Sequence, residues 1–264
     1  MAKNSCDGRL ECSTAVAAVV SEVLGVPMLR VGRKCSADLC RLKFCEQARF
    51  KIETGSAKIS KKGESSSGDN YSGQMLDDGK YIVVLSDGMG SGKRANAESA
   101  VTVELIKRLI NAGFDKETSA GLINSILMTH TDKELFATMD ICIINLYTGA
   151  AEFLKTGAAG SFIKTADGVE EISCLSLPVG VMAENGADTE LKNLKNGDYV
   201  VMVTDGITDA ISTSGRSLSE LIAAFSGDNP KQLADGILAY ALEASGNEAK
   251  DDMTIFAVKV TEEM

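Results

Sequence analysis

Tyr81-Ile82-Val83-Val84-Leu85-Ser86 runs straight into Asp87-Gly88, and Tyr199-Val200-Val201-Met202-Val203-Thr204 runs in the same way into Asp205-Gly206. Each run predicts a buried β-strand with a carboxylate at its exit and a glycine that turns the chain. Asp-Gly is a common turn after a strand, so either pair alone would carry little. Gly68-Asp69 upstream and Asp251-Asp252 near the end complete a set of four. Carboxylates are hard oxygen ligands suited to Mg²⁺ or Mn²⁺. Several of them together repel one another unless a dication neutralises them. The set therefore points to a metal site built from carboxylates on rigid strand ends. The carbonyl of Gly88 is free to turn toward the same ion.

The pattern around these strands sets the fold class. Residues 12–24 place Val16, Val19, Val20 and Val23 on one helical face, and residues 35–46 predict a second helix. Short strands follow at Phe50–Ser60 and Tyr71–Gln74. After the first Asp-Gly, Val101, Leu105 and Leu109 predict a helix that stops at Gly113. Leu122, Ile123, Ile126 and Leu127 predict another, capped by Thr118 or Ser119. Strands are expected at 140–147, 151–156, 161–165 and 169–174, and a further segment at 191–196 leads into the second Asp-Gly strand. Helices are expected at 217–225 and 230–244, and a last strand at Met253–Val260. Strands bracketing helix pairs, without strict βαβ alternation, argue for α+β layers with mixed or antiparallel sheets.

The chain has 264 residues, enough for one large domain or a domain with an appendage. Its net charge of −10 and its dispersed Lys and Arg residues argue against a nucleic-acid partner. No apolar window is long enough to span a bilayer. Ala15–Leu24 lacks the basic flank of a signal peptide. The 7 Cys are odd in number and are expected as reduced thiols. The abrupt opening Met1-Ala2-Lys3-Asn4-Ser5 predicts a fragment of a longer protein.

Other motifs compete for attention. Asp87-Gly-Met-Gly-Ser-Gly-Lys-Arg94 approaches a P-loop, but Asp87 stands where Gly is required and Arg94 where a Mg²⁺-binding hydroxyl is required. Gly90-x-Gly92-x-x-Ala95 fits a loose dinucleotide fingerprint, although Asp87 would face the pyrophosphate. The plain alternative is a glycine turn feeding a helix. Cys35-Ser-Ala-Asp-Leu-Cys-Arg41 has the Cys-x5-Arg spacing of cysteine phosphatases. It has no glycine to wrap a phosphate, and Asp38 would repel one, so structural thiols are the better reading. Zinc at Cys35, Cys40 and Cys45 would have long gaps and no evident fourth ligand. His130 is the only histidine, which excludes His-rich metal sites and argues against a Ser-His-Asp triad; it reads as a helix-end or surface residue.

Taken together, Gly68-Asp69-Asn70-Tyr71, Ser86-Asp87-Gly88-Met89-Gly90-Ser91-Gly92, Thr204-Asp205-Gly206-Ile207 and Asp251-Asp252-Met253-Thr254 resemble the four ordered blocks of PPM-type metal-dependent serine/threonine phosphatases. The resemblance runs from about residue 46 to the end. Leu177-Pro178-Val179-Gly180 is similar to a Pro-x-Gly turn of the bacterial branch. The Ser-Asp-Gly-Met-Gly-x-Gly block and the cysteine-containing lead-in are similar to the stage II sporulation protein E group within it.

The resemblance implies a β-sandwich of two antiparallel sheets flanked by helices over residues 47–264, with residues 1–46 as a helical regulatory or linker lead-in. It implies that Asp69, Asp87, Asp205 and Asp251, with the Gly88 carbonyl, hold Mn²⁺ or Mg²⁺, two ions in all. Asp252 is the alternative ligand if the register slips by one. The implied reaction is metal-assisted hydrolysis of a phosphoserine or phosphothreonine without a covalent phosphoenzyme. The implied substrate is a phosphorylated anti-anti-sigma factor, and the outcome is release of a sporulation sigma factor. The fragment is expected to be cytoplasmic, within a protein anchored to the membrane through a region outside this chain. The helix pair after Asp87 is expected either to act as a switch, with partner or homodimer contacts on its outer face, or to be ordinary packed helices with no regulatory role.

Three departures from the family pattern stand out. Met89 occupies a position where many relatives carry a histidine, Gly160 one where bacterial relatives often carry proline, and no early arginine is assigned to phosphate. The rival classes are a non-catalytic, metal-stabilised partner-binding module and a nucleotide-binding protein using Gly88–Gly92.

Overall fold

The computed structural model describes residues 2–4, 12–35, 39–129, 136–173, 175–181 and 186–263. The chain divides into two compact units, Met1–Arg49 and Phe50–Met264.

In the first unit, β1 (Ala2–Asn4), β2 (Met28–Cys35) and β3 (Leu39–Glu46) form an antiparallel sheet in the order β1-β3-β2, and α1 (Cys12–Leu24) precedes β2. Residues 35–46 were expected as a helix, and β3 corrects this. Cys40 and Leu42 are buried between exposed Leu39, Arg41 and Lys43, which is a period of two. Val19 and Val23 of α1 are exposed. Cys40 is disulfide-bonded, against the expectation of reduced thiols, while Cys45 and Cys142 are free. His130 lies outside the described residues.

The second unit contains β4 (Phe50–Ile59), β5 (Asp69–Met75), β6 (Lys80–Asp87), α2 (Gly92–Asn111), α3 (Lys116–Thr129), β7 (Met139–Asn145), β8 (Ala150–Thr156), β9 (Ser161–Thr165), β10 (Gly168–Ile172), β11 (Asp188–Asn193), β12 (Tyr199–Val203), α4 (Asp205–Ser212), α5 (Leu218–Ala224), α6 (Pro230–Ala244) and β13 (Met253–Glu262). One sheet runs β10-β9-β12-β13-β4 and the other β11-β8-β7-β6-β5. Every pairing within them is antiparallel. The architecture is the expected α+β sandwich of two antiparallel sheets with helices outside.

The layers follow from which faces are apolar. Val201, Val203 and Ile255 pack under Ile207, Ile222, Leu233 and Ile237 of α4–α6. Ile82, Val84, Ile141 and Leu154 pack under Val103, Ile106, Ile123 and Leu127 of α2 and α3. The intervening residues of the same strands, among them Val83, Leu85, Val200 and Met202, are also fully buried. Strands covered on both faces read as continuous apolar runs, which is why these segments show no alternation in the sequence. Between the sheets, Tyr71 meets Phe256 with ring centroids 5.2 Å apart.

Two helix faces differ from expectation. In α2, Val101 is exposed, and the buried face carries Ala95, Ser99, Thr102, Val103 and Ile106. In α3, Ile123 and Leu127 are buried while Leu122 and Ile126 are exposed. The start of α3 is held by Asp115, whose Oδ1 accepts from the Thr118 amide at 2.7 Å, rather than by Thr118 or Ser119. Among the described residues, no helix is long and apolar enough to cross a membrane.

Candidate metal centre

The site is built where β5 and β6 pair. Register places Asp69 directly opposite Asp87, so two carboxylates meet across one strand pair. β6 ends at Asp87, which β7 clamps from the side. The Asp87 amide donates to Thr138 Oγ1 at 2.8 Å, and the Thr138 amide donates to the Asp87 carbonyl at 2.8 Å. From the other sheet, β12 ends at Val203, Thr204 is the N-cap residue of α4, and α4 begins at Asp205. Thr204 Oγ1 donates to Asp69 Oδ2 at 2.9 Å and accepts from the Thr254 amide at 2.9 Å. One threonine thus ties the second Asp-Gly strand and β13 to the first aspartate.

The glycines are required by close approach. A Cβ on Gly88 would overlap the carbonyl of Ala95 in α2, and one on Gly206 would overlap the carbonyl of Asp252. The expected second turn is instead the first turn of α4. Its N-terminus faces the site and favours the Asp205 carboxylate.

Asp251 and Asp252 separate by role. Asp252 is buried, its Oδ1 accepting from the Lys61 amide at 2.8 Å and its Oδ2 from the Gly68 amide at 2.8 Å. Both oxygens staple the loop that leads into Asp69. Asp251 is exposed, and its Oδ1 lies 3.6 Å from Lys61 Nζ.

Charge is concentrated here. Burial, then the charges of Asp69, Asp205 and Asp251, pushes the Asp87 carboxyl up to about 9. Burial raises Asp69 too, against the opposing hydrogen bond from Thr204 Oγ1. Burial and the Asp251 charge raise Asp205. Asp69 is fully buried, and its Oδ1 has no hydrogen-bond partner. Among the described residues, no three acidic, His or Cys side chains are already closed into metal-ligand geometry. The donors are all hard oxygens, one is orphaned, and Asp87 carries a raised carboxyl that a nearby dication would lower. This set fits Mg²⁺ or Mn²⁺.

The rival motifs do not assemble. Ser91, which precedes α2, donates to Glu64 Oε1 at 3.2 Å, so an acidic group stands at that helix start where a P-loop would hold phosphate. Arg41 lies in strand β3, and the disulfide-bonded Cys40 has no thiolate to give to zinc. Pro178 packs against Gly157, where a Cβ would collide with its ring. Val179 pairs with Ala137, which also bridges Gly88. Thr138, Thr204, Asp140, Lys155 and Ser161 were not singled out as site residues in the sequence. Thr138 and Thr204 carry no motif of their own, and Lys155 lies within an apolar strand.

A family model for stage II sporulation protein E matches residues 77–261. The chain belongs to the stage II sporulation protein E family. It is 31% identical over 261 residues to the stage II sporulation protein E of Priestia megaterium, covering 97% of this chain and 45% of that relative. The chain thus spans less than half of that protein's length. The solved PP2C phosphatase domain of the cell fate determinant SpoIIE from Bacillus subtilis, with a fragment of its regulatory domain, superposes with a TM-score of 0.82 at 29% identity. That match covers 100% of this chain and 78% of the solved one. RsbX in complex with magnesium shares the fold, with a TM-score of 0.63 at 20% identity over 81% of this chain and 100% of that one. The unit from Phe50 onward has the PP2C phosphatase fold.

Proposed function

We propose that this domain hydrolyses phosphoserine or phosphothreonine on a protein in a reaction that depends on divalent metal. The meeting of Asp69 and Asp87 across the β5–β6 pair, with Asp205 at the start of α4 adding its charge so that Asp87 is raised to about 9, carries the reading. Asp69, Asp87, Asp205 and Asp251, with the Gly88 carbonyl, would hold two Mn²⁺ or Mg²⁺ ions. When bound, such ions lower the pKa of water and neutralise charge on the phosphoryl oxygens. The protein's own part is positional. Thr138 fixes the Asp87 backbone, Thr204 fixes Asp69, and Asp252 fixes the loop before Asp69. Burial and the neighbouring charges favour the protonated form of Asp87 in the metal-free protein, so metal uptake would be linked to proton release. Met89, exposed on the loop after Gly88, has no proton to transfer to a leaving group.

Family membership supports a phosphorylated anti-anti-sigma factor as the substrate and control of a sporulation sigma factor as the outcome. It also supports placing the domain on the cytoplasmic side of a longer, membrane-anchored protein, with the first unit as its regulatory lead-in. Exposed Val101 on α2 and Leu122 and Ile126 on α3 support a homodimer through these helices. The test is a Mn²⁺ titration of phosphate release from a phosphoserine anti-anti-sigma protein, with an EDTA control. Metal-dependent release is expected. Metal binding without release would leave the domain as a non-catalytic partner-binding module.

A further inference from the structure

A lysine, an aspartate and a serine are sealed inside the sandwich beside the site. Lys155 is 0% exposed, Asp140 1% and Ser161 0%. Lys155 Nζ donates to Asp140 Oδ2 at 2.5 Å and to Ser161 Oγ at 2.8 Å, and Ser161 Oγ donates to the same Asp140 Oδ2 at 2.5 Å. Asp140 (β7) and Lys155 (β8) are directly paired in one sheet, while Ser161 reaches in from β9 of the other. All of this converges on one oxygen. Asp140 Oδ1 is buried with no partner.

A buried ion pair is weak support for a fold, because apolar residues of similar volume usually serve as well or better. A pair that also leaves an acceptor unmatched is worse still. Its position supplies the reason for keeping it. Asp140 follows Thr138, the clamp on Asp87, by two residues and is paired with Leu85 of β6. It lines a small cleft together with Asp87, Thr138, Thr204 and Asp205. The remaining wall includes Gly157, Ala158 and Ala159, which offer no side-chain donor. The cleft holds about 20 Å³, room for a single water with polar partners on several sides.

We propose that Asp140 is a positioning residue for the phosphatase centre. Lys155 and Ser161 lock Oδ2, so that Oδ1 accepts a hydrogen bond from one water in the cleft and through it orients the Asp87 carboxylate. The lysine offsets the charge of Asp140, so a further carboxylate beside the cluster does not add its full repulsion. The inference rests on the metal-dependent reading above and adds a residue to it.

The discriminating variant is Asp140→Leu with Lys155→Met, which replaces the pair by apolar bulk. If the pair is only structural, this protein folds and works. If Asp140 positions the site, it folds and melts at or above the wild-type temperature. It then binds Mn²⁺ about tenfold to a hundredfold more weakly by isothermal titration, the usual effect of losing a group that orients a ligand. At saturating Mn²⁺, kcat should fall with little change in KM. Asp140→Asn keeps the volume but turns an amide donor toward the cleft, and it decides the matter should the double variant not fold. The same weakening is expected of it, and Ser161→Ala should cost only a few-fold. A folded variant binding Mn²⁺ within about twofold of wild type, beside wild type that binds normally, overturns the proposal alone. Wild type that binds no Mn²⁺ overturns both this and the functional reading.

Discussion

Asp87-Gly88 and Asp205-Gly206 are the same dipeptide after the same kind of strand, yet the molecule uses them differently. Asp87 leaves a strand flanked by β5 and β7, faces Asp69 directly and is pushed up to about 9. Asp205 opens a helix whose N-terminal amides favour its charge, and the Gly206 backbone hydrogen bond opposes the rise. Gly88 admits the backbone of Ala95 from α2, and Gly206 admits that of Asp252 from the start of β13. The shared sequence therefore reflects a shared need, a carboxylate with backbone packed tightly behind it. It does not reflect a shared local structure.

The largest effects should come from removing either carboxylate. Asp87→Asn and Asp205→Asn should each abolish Mn²⁺-dependent phosphate release while leaving the circular dichroism spectrum intact. A folded variant of either with near-normal turnover would break the symmetry of the two sites. Next come the glycines. Gly88→Ala and Gly206→Ala each force a methyl group into a carbonyl and should cost about 1–3 kcal/mol of stability in urea titrations. Gly88→Ala should also weaken Mn²⁺ binding, because displacing α2 displaces Asp87.

Thr204 joins the two regions, and Thr204→Val should weaken Mn²⁺ about tenfold to a hundredfold by freeing Asp69. An unchanged affinity would mean that the sheets set Asp69 without it.

A graded effect should appear with pH in the metal-free protein. An unfolded aspartate loses its proton near its ordinary value of about 4, whereas folded Asp87 keeps one up to about 9. Between those values the native state binds more protons, so stability falls as pH rises. Melting temperatures in EDTA should therefore decline from pH 5.5 to pH 8.5. Asp87→Asn should flatten the decline more than Asp205→Asn does. The smallest effect is expected from Cys45→Ser. This free thiol in the first unit should change turnover little, whereas EDTA should remove it.

The sequence by itself determined the strands of the second unit and their order along the chain. Tyr81–Leu85 and Tyr199–Val203 are unbroken apolar runs, as strands buried on both faces are, and Met253–Val260 departs only at Thr254 and Lys259. It also supplied the aspartates, because a carboxylate at the end of such a run is conspicuous. It read residues 35–46 as helix where Leu39–Glu46 form a strand, since the alternation of Cys40 and Leu42 is short and mixed with Lys and Arg. It took Leu122 and Ile126 for core because apolar residues cover more than one face of α3. Only the tertiary structure decided the rest. Asp251 and Asp252 are adjacent and chemically identical. Folding gives the second to backbone amides from Lys61 and Gly68, almost two hundred residues away in the chain. Lys155 looks like a solvent-facing strand residue until β7 and β9 close over it with Asp140 and Ser161. Local pattern records which face of an element is apolar. It does not record which polar partner the packing of two sheets will bring to a given oxygen.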